Sequence, residues 1–263
     1  MTALLVVEAL EISFGGVKAL HGVGLTLAAG EILALIGPNG AGKTTVFNCI
    51  SGLYRPQSGS IRVAGRDILG LKPHRVAASG IARTFQNIEL FRHMSTVDNL
   101  LLGRHLFLRT GLLSGMALLG SWSPAAREEM RHREKVEEII DFLDLQAVRN
   151  QHVGNLPYGT QKVVELGRAL AMEPKVLLLD EPAAGMNHEE KHDLRIWIED
   201  ISKLFGVAIL LIEHDMQFVG ELADRVIALN YGECIASGTP DEVRSHPEVL
   251  RAYLGAAGTG ARP

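Results

Sequence analysis

The chain has 263 residues, of which 47% are hydrophobic and 21% are charged. This length fits one large α/β domain or a domain with a small insert, and the composition excludes extensive disorder. The formal net charge is −4, and a chain with no basic surplus does not have the composition typical of a nucleic-acid-binding protein.

The N-terminal segment carries no basic residue before its apolar run, which Glu8 interrupts. This pattern predicts a first strand and not a signal peptide. We expect two short edge strands, at Leu4–Val7 and Glu11–Phe14. The longest apolar-rich stretch, Leu106–Trp122, contains Arg109 and is shorter than the roughly 20 residues that a membrane-spanning helix needs. Any membrane role is therefore expected to come through a partner.

A β-rich apolar run, Glu31–Ile36, ends in a glycine-rich turn, and a helical pattern follows at Thr44–Ile50. The turn matches G-x-x-x-x-G-K-[ST] in the strand–loop–helix context that this motif requires. Its glycines let backbone N–H groups approach phosphate oxygens, and the helix N-terminus adds partial positive charge. Lys43 would contact the β- and γ-phosphates, and the Thr44 hydroxyl would bind Mg²⁺.

A further strand is predicted at Ser60–Ala64, and strand patterns then stop from about residue 88 to residue 155. In this block Val136, Ile139, Ile140 and Leu143 fall at helical spacing, which predicts an amphipathic helix. Ser123-Pro124 is typical of a helix start, and the charged run that follows is interpreted as a solvated helix face. The block therefore indicates a helical insert between two halves of a sheet domain.

Strand patterns return at Lys175–Leu179, Val207–Ile212 and Arg225–Leu229, with helical segments between them. This alternation predicts a largely parallel sheet with helices on both faces. The first of these strands is followed by Asp180 and Glu181. Beside a P-loop, the first carboxylate can hold Mg²⁺, and the second can orient or deprotonate an attacking water.

Further motifs, in order, resemble the ABC ATPase family over nearly the whole chain, and the N-K-x-D motif of GTPases is absent. Phe14 resembles the family's adenine-stacking aromatic residue, Gln86 its Q-loop glutamine and His214 its switch histidine. The LSGGQ signature is represented by Leu156-Pro157-Tyr158-Gly159-Thr160-Gln161, and the D-loop by Ala183-Ala184-Gly185-Met186-Asn187.

The resemblance implies an α/β P-loop NTPase fold of ABC ATPase type. It has a mostly parallel core sheet, an antiparallel edge β-subdomain and an inserted helical subdomain. We expect the nucleotide-binding core at residues 1–87 and 160–255, the helical subdomain at 88–159, and a tail at 256–263.

The resemblance also implies an ATPase that uses ATP and Mg²⁺. The expected catalytic residues are Lys43, Glu181 and His214, and the expected metal ligands are Thr44, Gln86 and Asp180. The expected nucleotide-binding residues are Phe14, Gly37, Pro38, Asn39, Gly40, Ala41, Gly42, Lys43, Thr44, Thr45, Gln86 and Asp180. In the family two such domains dimerise head to tail, so Pro157, Tyr158, Gly159, Thr160 and Gln161 would face the ATP of a second ATP-binding subunit.

The signature departs from the family pattern, because Pro157 replaces a serine and Thr160 replaces the glutamine. Proline supplies neither a hydroxyl nor an N–H group. One hypothesis is that this signature supports a weaker composite ATP site, and the alternative is a tolerated variant. Asn187 stands where the D-loop commonly has aspartate.

Several segments resemble the larger ATP-binding subunit of branched-chain amino-acid importers, among them Ser13-Phe14-Gly15-Gly16 and Arg251-Ala252-Tyr253-Leu254-Gly255. The segment 105–123 resembles that subfamily's extended loop and would contact a partner or lipid headgroups, or form a small satellite core. The implied partners are a second ATP-binding subunit, two permease subunits and an extracytoplasmic solute-binding protein, with this chain peripheral at the cytoplasmic face of the membrane. A urea or amide importer and a lipopolysaccharide exporter remain alternatives. A non-transport ABC protein would carry a coiled-coil insertion or a second cassette.

Overall fold

The computed structural model describes residues 3–107 and 124–257, and these fall into two compact units. The first unit comprises the described parts of residues 1–86, 175–184 and 188–263, and the second comprises those of 87–174 and 185–187. Residues 108–123 of the predicted contact loop at 105–123, and residues 258–263 of the predicted tail at 256–263, lie outside the described residues.

The first unit contains the ten strands β1 Ala3–Phe14, β2 Val17–Ala28, β3 Ile32–Ile36, β4 Ser58–Val63, β5 Arg66–Asp67, β6 Ile81–Arg83, β7 Val176–Asp180, β8 Ala208–Ile212, β9 Arg225–Asn230 and β10 Glu233–Gly238. The helices of the described chain are α1 Lys43–Ile50, α2 Pro73–Ala78, α3 Thr96–Gly103, α4 Pro124–Phe142, α5 Tyr158–Leu170, α6 His188–Phe205, α7 Met216–Leu222, α8 Pro240–Ser245 and α9 Pro247–Ala257. Short 3₁₀ turns lie at Arg104–Phe107, Gln146–Val148 and Val153–Asn155.

A six-stranded sheet in the order β10-β9-β3-β8-β7-β6 forms the centre of the first unit. Strands β9, β3, β8, β7 and β6 pair in parallel, and β10 is antiparallel to β9. Every residue of β3, β7 and β8 is buried, which explains why these strands are apolar except for Asp180 at the end of β7. The carboxyl ends of these three neighbouring strands lie at one edge of the sheet, where the P-loop, Glu181 and His214 follow them. The predicted parallel core sheet is thereby confirmed.

A second, antiparallel sheet has the order β2-β1-β4-β5. The prediction of two short edge strands at Leu4–Val7 and Glu11–Phe14 was wrong, because β1 is one strand that lies between β2 and β4. Its register shifts between Val7 and Leu10, and Ala9 has φ 47°. This bulge changes the spacing of buried side chains from two to three, so the sequence reads as two strands.

Both sheets share one apolar core. It includes the fully buried side chains Leu10, Leu27, Leu33, Phe47 and Ile61, which come from both sheets and from α1. Because α1 packs into this core through Phe47 and Val46, the core fixes the helix at which the preceding loop ends.

The second unit is helical, as the sequence predicted. Val136 and Ile140 of α4 and the following Leu143 are buried at helical spacing. Helices α3 and α5 approach closely at Gly103, where a Cβ would lie 2.4 Å from the Arg168 carbonyl oxygen. Because α5 packs on α3 in this way, α5 belongs to the helical unit, which extends to Pro174. The boundary expected from the sequence was residue 159.

Within residues 3–107 and 124–257, the structure contains no helix with the length and apolar character needed to cross a bilayer.

Candidate functional site

The P-loop connects β3 to α1 and contains the residues Gly37, Pro38, Asn39, Gly40, Ala41 and Gly42. Gly37 has φ 144°, and a Cβ there would lie 2.1 Å from the Leu229 carbonyl oxygen. Gly42 forms the N-cap of α1 with φ 102°, where a Cβ would lie 2.8 Å from a Leu20 methyl group. Only glycine fits these two positions. The P-loop thus leads directly into the N-terminus of α1, which is the end of a helix that favours anions.

Lys43 is the first residue of α1 and is 6% exposed. Its Nζ donates hydrogen bonds to the carbonyl oxygens of Gly37 at 2.7 Å and Pro38 at 3.1 Å. Burial lowers the pKa of the Lys43 ammonium, while the nearby carboxylates of Glu181 and Asp180 act to raise that pKa. A buried cation that donates to two neutral carbonyls at the N-terminus of a helix is suited to an anionic ligand.

A second group of functional side chains lies at the carboxyl ends of β7 and β8. His214 Nε2 donates to Glu181 Oε1 at 2.7 Å, and Gln86 Nε2 donates to Glu181 Oε2 at 3.1 Å. The Glu181 side chain is 19% exposed, so water can reach a carboxylate that two neighbours hold in place. The structure therefore brings together Gln86, Glu181 and His214, which the sequence predicted from three separate motifs.

Asp180 is the last residue of β7 and is 4% exposed. Thr44 follows Lys43 in α1 with an exposed side chain, and Thr45 is partly buried beside it. Mg²⁺ prefers hard oxygen ligands and usually retains several waters. A carboxylate, a hydroxyl and the Gln86 amide oxygen form a donor set of this kind, so the residues present fit the expected cation.

Phe14 ends β1 and is 45% exposed. Its ring meets the ring of Tyr54 edge to face, with centroids 5.1 Å apart. The Gln57 side chain clamps the same turn, because Oε1 accepts from Ser13 N–H at 3.0 Å and Nε2 donates to the Ser13 carbonyl at 3.2 Å. An exposed aromatic face held in a fixed direction is suitable for stacking on a planar base.

The signature segment, residues 156–161, begins α5 in the second unit. Pro157 is the N-cap of this helix, and its carbonyl oxygen accepts the Gln161 N–H at 3.0 Å. Gly159 and Gln161 are buried, Thr160 is partly buried, and Tyr158 is exposed. The Tyr158 ring covers Gly185 of the D-loop segment, residues 183–187, where a Cβ would lie 2.9 Å from the ring.

The sequence analysis assigned no role at the site to three further residues. Arg83 forms an ion pair with Asp180 at 2.9 Å, Glu213 accepts hydrogen bonds from two loops, and the Tyr253 hydroxyl accepts the Gly37 N–H at 2.9 Å. The last of these bonds fixes the start of the P-loop to α9. Apart from His214, which directly follows Glu213, these partners are distant in sequence, so spacing gives no signal for them.

The family described as "ABC transporter" matches residues 20–184 of the chain. A second family, described as "Branched-chain amino acid ATP-binding cassette transporter", matches residues 233–259.

The chain is 41% identical over 254 residues to the high-affinity branched-chain amino acid transport ATP-binding protein BraF of Pseudomonas aeruginosa, covering 97% of this chain and 98% of that protein. It is 42% identical over 254 residues to the protein LivG of Escherichia coli, which has the same description, with coverage of 97% and 98%. Among solved structures, the ADP conformation of the ATP-binding cassette MJ1267 superposes with a TM-score of 0.83 and 31% identity, covering 97% of this chain and 100% of that one.

Proposed function

The chain belongs to the ABC transporter family of ATP-binding proteins, and from this premise we propose that it is the ATP-hydrolysing subunit of an importer of branched-chain amino acids. The observation that carries the hydrolytic part is the pair formed by Glu181 and His214, which lie 2.7 Å apart at the sheet edge that also bears the P-loop.

In the proposed reaction, the P-loop N–H groups and Lys43 bind the β- and γ-phosphates of ATP, and Phe14 stacks on the adenine. The phosphates replace the carbonyl oxygens that now hold the Lys43 ammonium. Positioning and electrostatic stabilisation of this kind supply most of the catalysis in phosphoryl transfer.

Glu181 orients the attacking water and accepts its proton. His214 holds one carboxylate oxygen and Gln86 holds the other, so that the carboxylate cannot turn away from the water. Thr44, Asp180 and Gln86 would hold Mg²⁺, which when bound neutralises charge on the phosphate oxygens.

We propose that the chain acts with a second ATP-binding subunit in a head-to-tail dimer, in which Pro157, Tyr158, Gly159, Thr160 and Gln161 face the ATP bound to the other subunit. Two permease subunits and an extracytoplasmic solute-binding protein would complete the importer. In this assembly the chain lies at the cytoplasmic face of the membrane and reaches it through the permeases.

The names of the relatives that match over nearly the whole chain support branched-chain amino acids as the solute. The family match at residues 233–259 supports the same choice. These observations favour it over the urea or amide importer and the lipopolysaccharide exporter.

The test is uptake of labelled leucine and labelled urea by cells in which the wild-type gene is replaced by Glu181→Gln. This change keeps the shape of the side chain and removes the carboxylate needed for hydrolysis, so we expect a fall in ATP turnover of the assembled complex of at least about 100-fold. Leucine uptake should fall to background, and urea uptake should not change.

The matched control is Glu189→Gln, which alters an exposed glutamate in the first turn of α6 and should leave both uptakes intact. Loss of ATP turnover with normal leucine uptake would support the ATPase activity and reject branched-chain amino acids as the solute. Normal ATP turnover in Glu181→Gln would reject the role of Glu181.

A further inference from the structure

Glu213 is a buried carboxylate for which the proposed reaction has no use. It follows β8 directly, precedes His214 and is only 4% exposed. A glutamate at the end of a strand usually extends into solvent, and burial of its charge is costly unless donors surround it. Its environment therefore calls for an explanation.

The two oxygens of Glu213 serve two different loops. Oε1 accepts the Ala183 N–H at 2.9 Å, from the loop that follows Glu181, and Oε2 accepts the His214 N–H at 3.0 Å. Burial raises the pKa of the Glu213 carboxyl, against the lowering effect of backbone N–H groups of Ala183, His214 and Asp215. One side chain thus ties the loop of the catalytic carboxylate to the loop of the switch histidine.

The loop on the Ala183 side holds a strained residue. Glu181 has φ 49°, a left-handed conformation that is strained for a non-glycine residue. Its N–H donates to the Ile212 carbonyl at 2.9 Å, and its own carbonyl accepts the Ala184 N–H at 3.2 Å. The bond from Ala183 to Glu213 is the third anchor of this turn.

We propose that Glu213 is a positioning residue for ATP hydrolysis. Glu213 itself belongs to the switch loop, so its bond to Ala183 holds the strained turn at Glu181 at a fixed separation from that loop. Its bond to the His214 N–H fixes the direction of the carboxylate, and together the two bonds keep Glu181 and His214 within hydrogen-bond distance. This inference rests on the proposed roles of those two residues.

The geometry separates this role from binding of the nucleotide. Glu213 bonds to neither the P-loop nor Phe14 in the described structure, and its bonds to the backbone of Ala183, His214 and Asp215 lie on the hydrolytic side of the site. Its loss should therefore slow the chemical step and leave ATP binding unchanged.

The test is Glu213→Gln in the full chain, assembled with its partner subunits, with kcat and KM for ATP measured beside thermal unfolding. The amide retains one acceptor oxygen but turns an NH₂ group toward the second backbone N–H, so one bond is lost and two donors face each other. We expect kcat to fall roughly ten- to a hundred-fold, because small displacements of reacting groups have effects of this size. KM and the Kd for ATP should change by less than about two-fold.

The matched control is Glu233→Gln, which alters an exposed glutamate on β10 and should leave kcat, KM, the Kd for ATP and thermal unfolding unchanged. Glu213→Asp, which keeps the charge but is too short to reach both donors, serves as a second variant and should show the same selective loss of kcat. If Glu213→Gln does not fold, kcat and KM of Glu213→Asp test the inference.

Unchanged kcat in either folded variant would overturn the inference, as would equal losses in kcat and ATP affinity. Wild-type complex without ATP turnover would instead reject the proposed function. The two failures are therefore distinguishable.

Discussion

Arg83 lies where α1, β6 and β7 meet, and its side chain is 8% exposed. Its guanidinium donates to Asp180 at 2.9 Å, to Asn48 at 2.7 Å and to Ser51 at 3.1 Å. The rings of Phe47 and Phe85 lie within cation–π distance of it. A single cation therefore joins the helix that follows the P-loop to the carboxylate expected to hold Mg²⁺.

Arg83→Met should destabilise the chain by about 3–5 kcal/mol, because it removes one partner of a buried ion pair. Arg62→Met is the matched control, since Arg62 pairs with Glu8 at 3.6 Å on the surface, with side chains 48% and 55% exposed. The control should lose at most about 1 kcal/mol. Urea unfolding measures both free energies, and equal losses would contradict the assignment of a buried pair.

Among individual residues, the sequence predicts those that belong to a local motif. Lys43, Glu181 and Gln86 each follow a strand or open a helix in a recognisable pattern. Arg83, Glu213 and Tyr253 act on partners 97, 30 and 216 residues away, and no spacing rule connects them. Such pairs become visible only when the sheet has brought the strand ends together.

Among the secondary-structure elements, those with an uninterrupted pattern were predicted best. Strands β3, β7 and β8 are continuous apolar runs apart from Asp180 at the end of β7, and their predicted bounds differ from the observed ones by at most one residue at either end. Strand β1 was predicted as two because the bulge at Ala9 interrupts its alternation. The short strand β6, of three residues, carries too few side chains to show a period.

Helix packing in the second unit depends on a close approach at Gly103. Gly103→Ala would place a methyl group 2.4 Å from the Arg168 carbonyl oxygen and 2.9 Å from the Ala171 Cβ. We expect a loss of about 1–3 kcal/mol, because α3 and α5 must separate to admit the methyl group. Hydrogen exchange should detect reduced protection of amides in these two helices.

Gly220→Ala in α7 is the control for this substitution. A Cβ there meets no atom within 4 Å, so alanine should be neutral or stabilise by up to about 1 kcal/mol through its higher helix propensity. Equal protection in the two variants would contradict the packing argument.

For the whole molecule, the composite ATP site that we propose places the signature of one chain against the ATP of another. Pro157 adopts φ −54° and ψ 152° ahead of α5, which a serine N-cap also adopts readily. Pro157→Ser should therefore fit the fold and add a hydroxyl and an N–H toward the phosphate.

We expect Pro157→Ser to raise the ATP turnover of the assembled complex about three- to ten-fold, the effect of one added hydrogen bond on a transition state. Single-turnover hydrolysis measures it. Pro73→Ser, at the first turn of α2, is the control and should have no effect. Unchanged turnover in Pro157→Ser would favour a tolerated variant over a weakened site.

The bond from Gly37 to Tyr253 has a consequence for the order of synthesis. The two residues are 216 positions apart, so at roughly 5–20 residues per second a ribosome makes the second about 10–40 s after the first. During that interval the nascent chain has its phosphate loop but not the hydroxyl that fixes the entrance of the loop. The anchor of the nucleotide pocket is therefore completed only after the whole segment between Gly37 and Tyr253 has been synthesised.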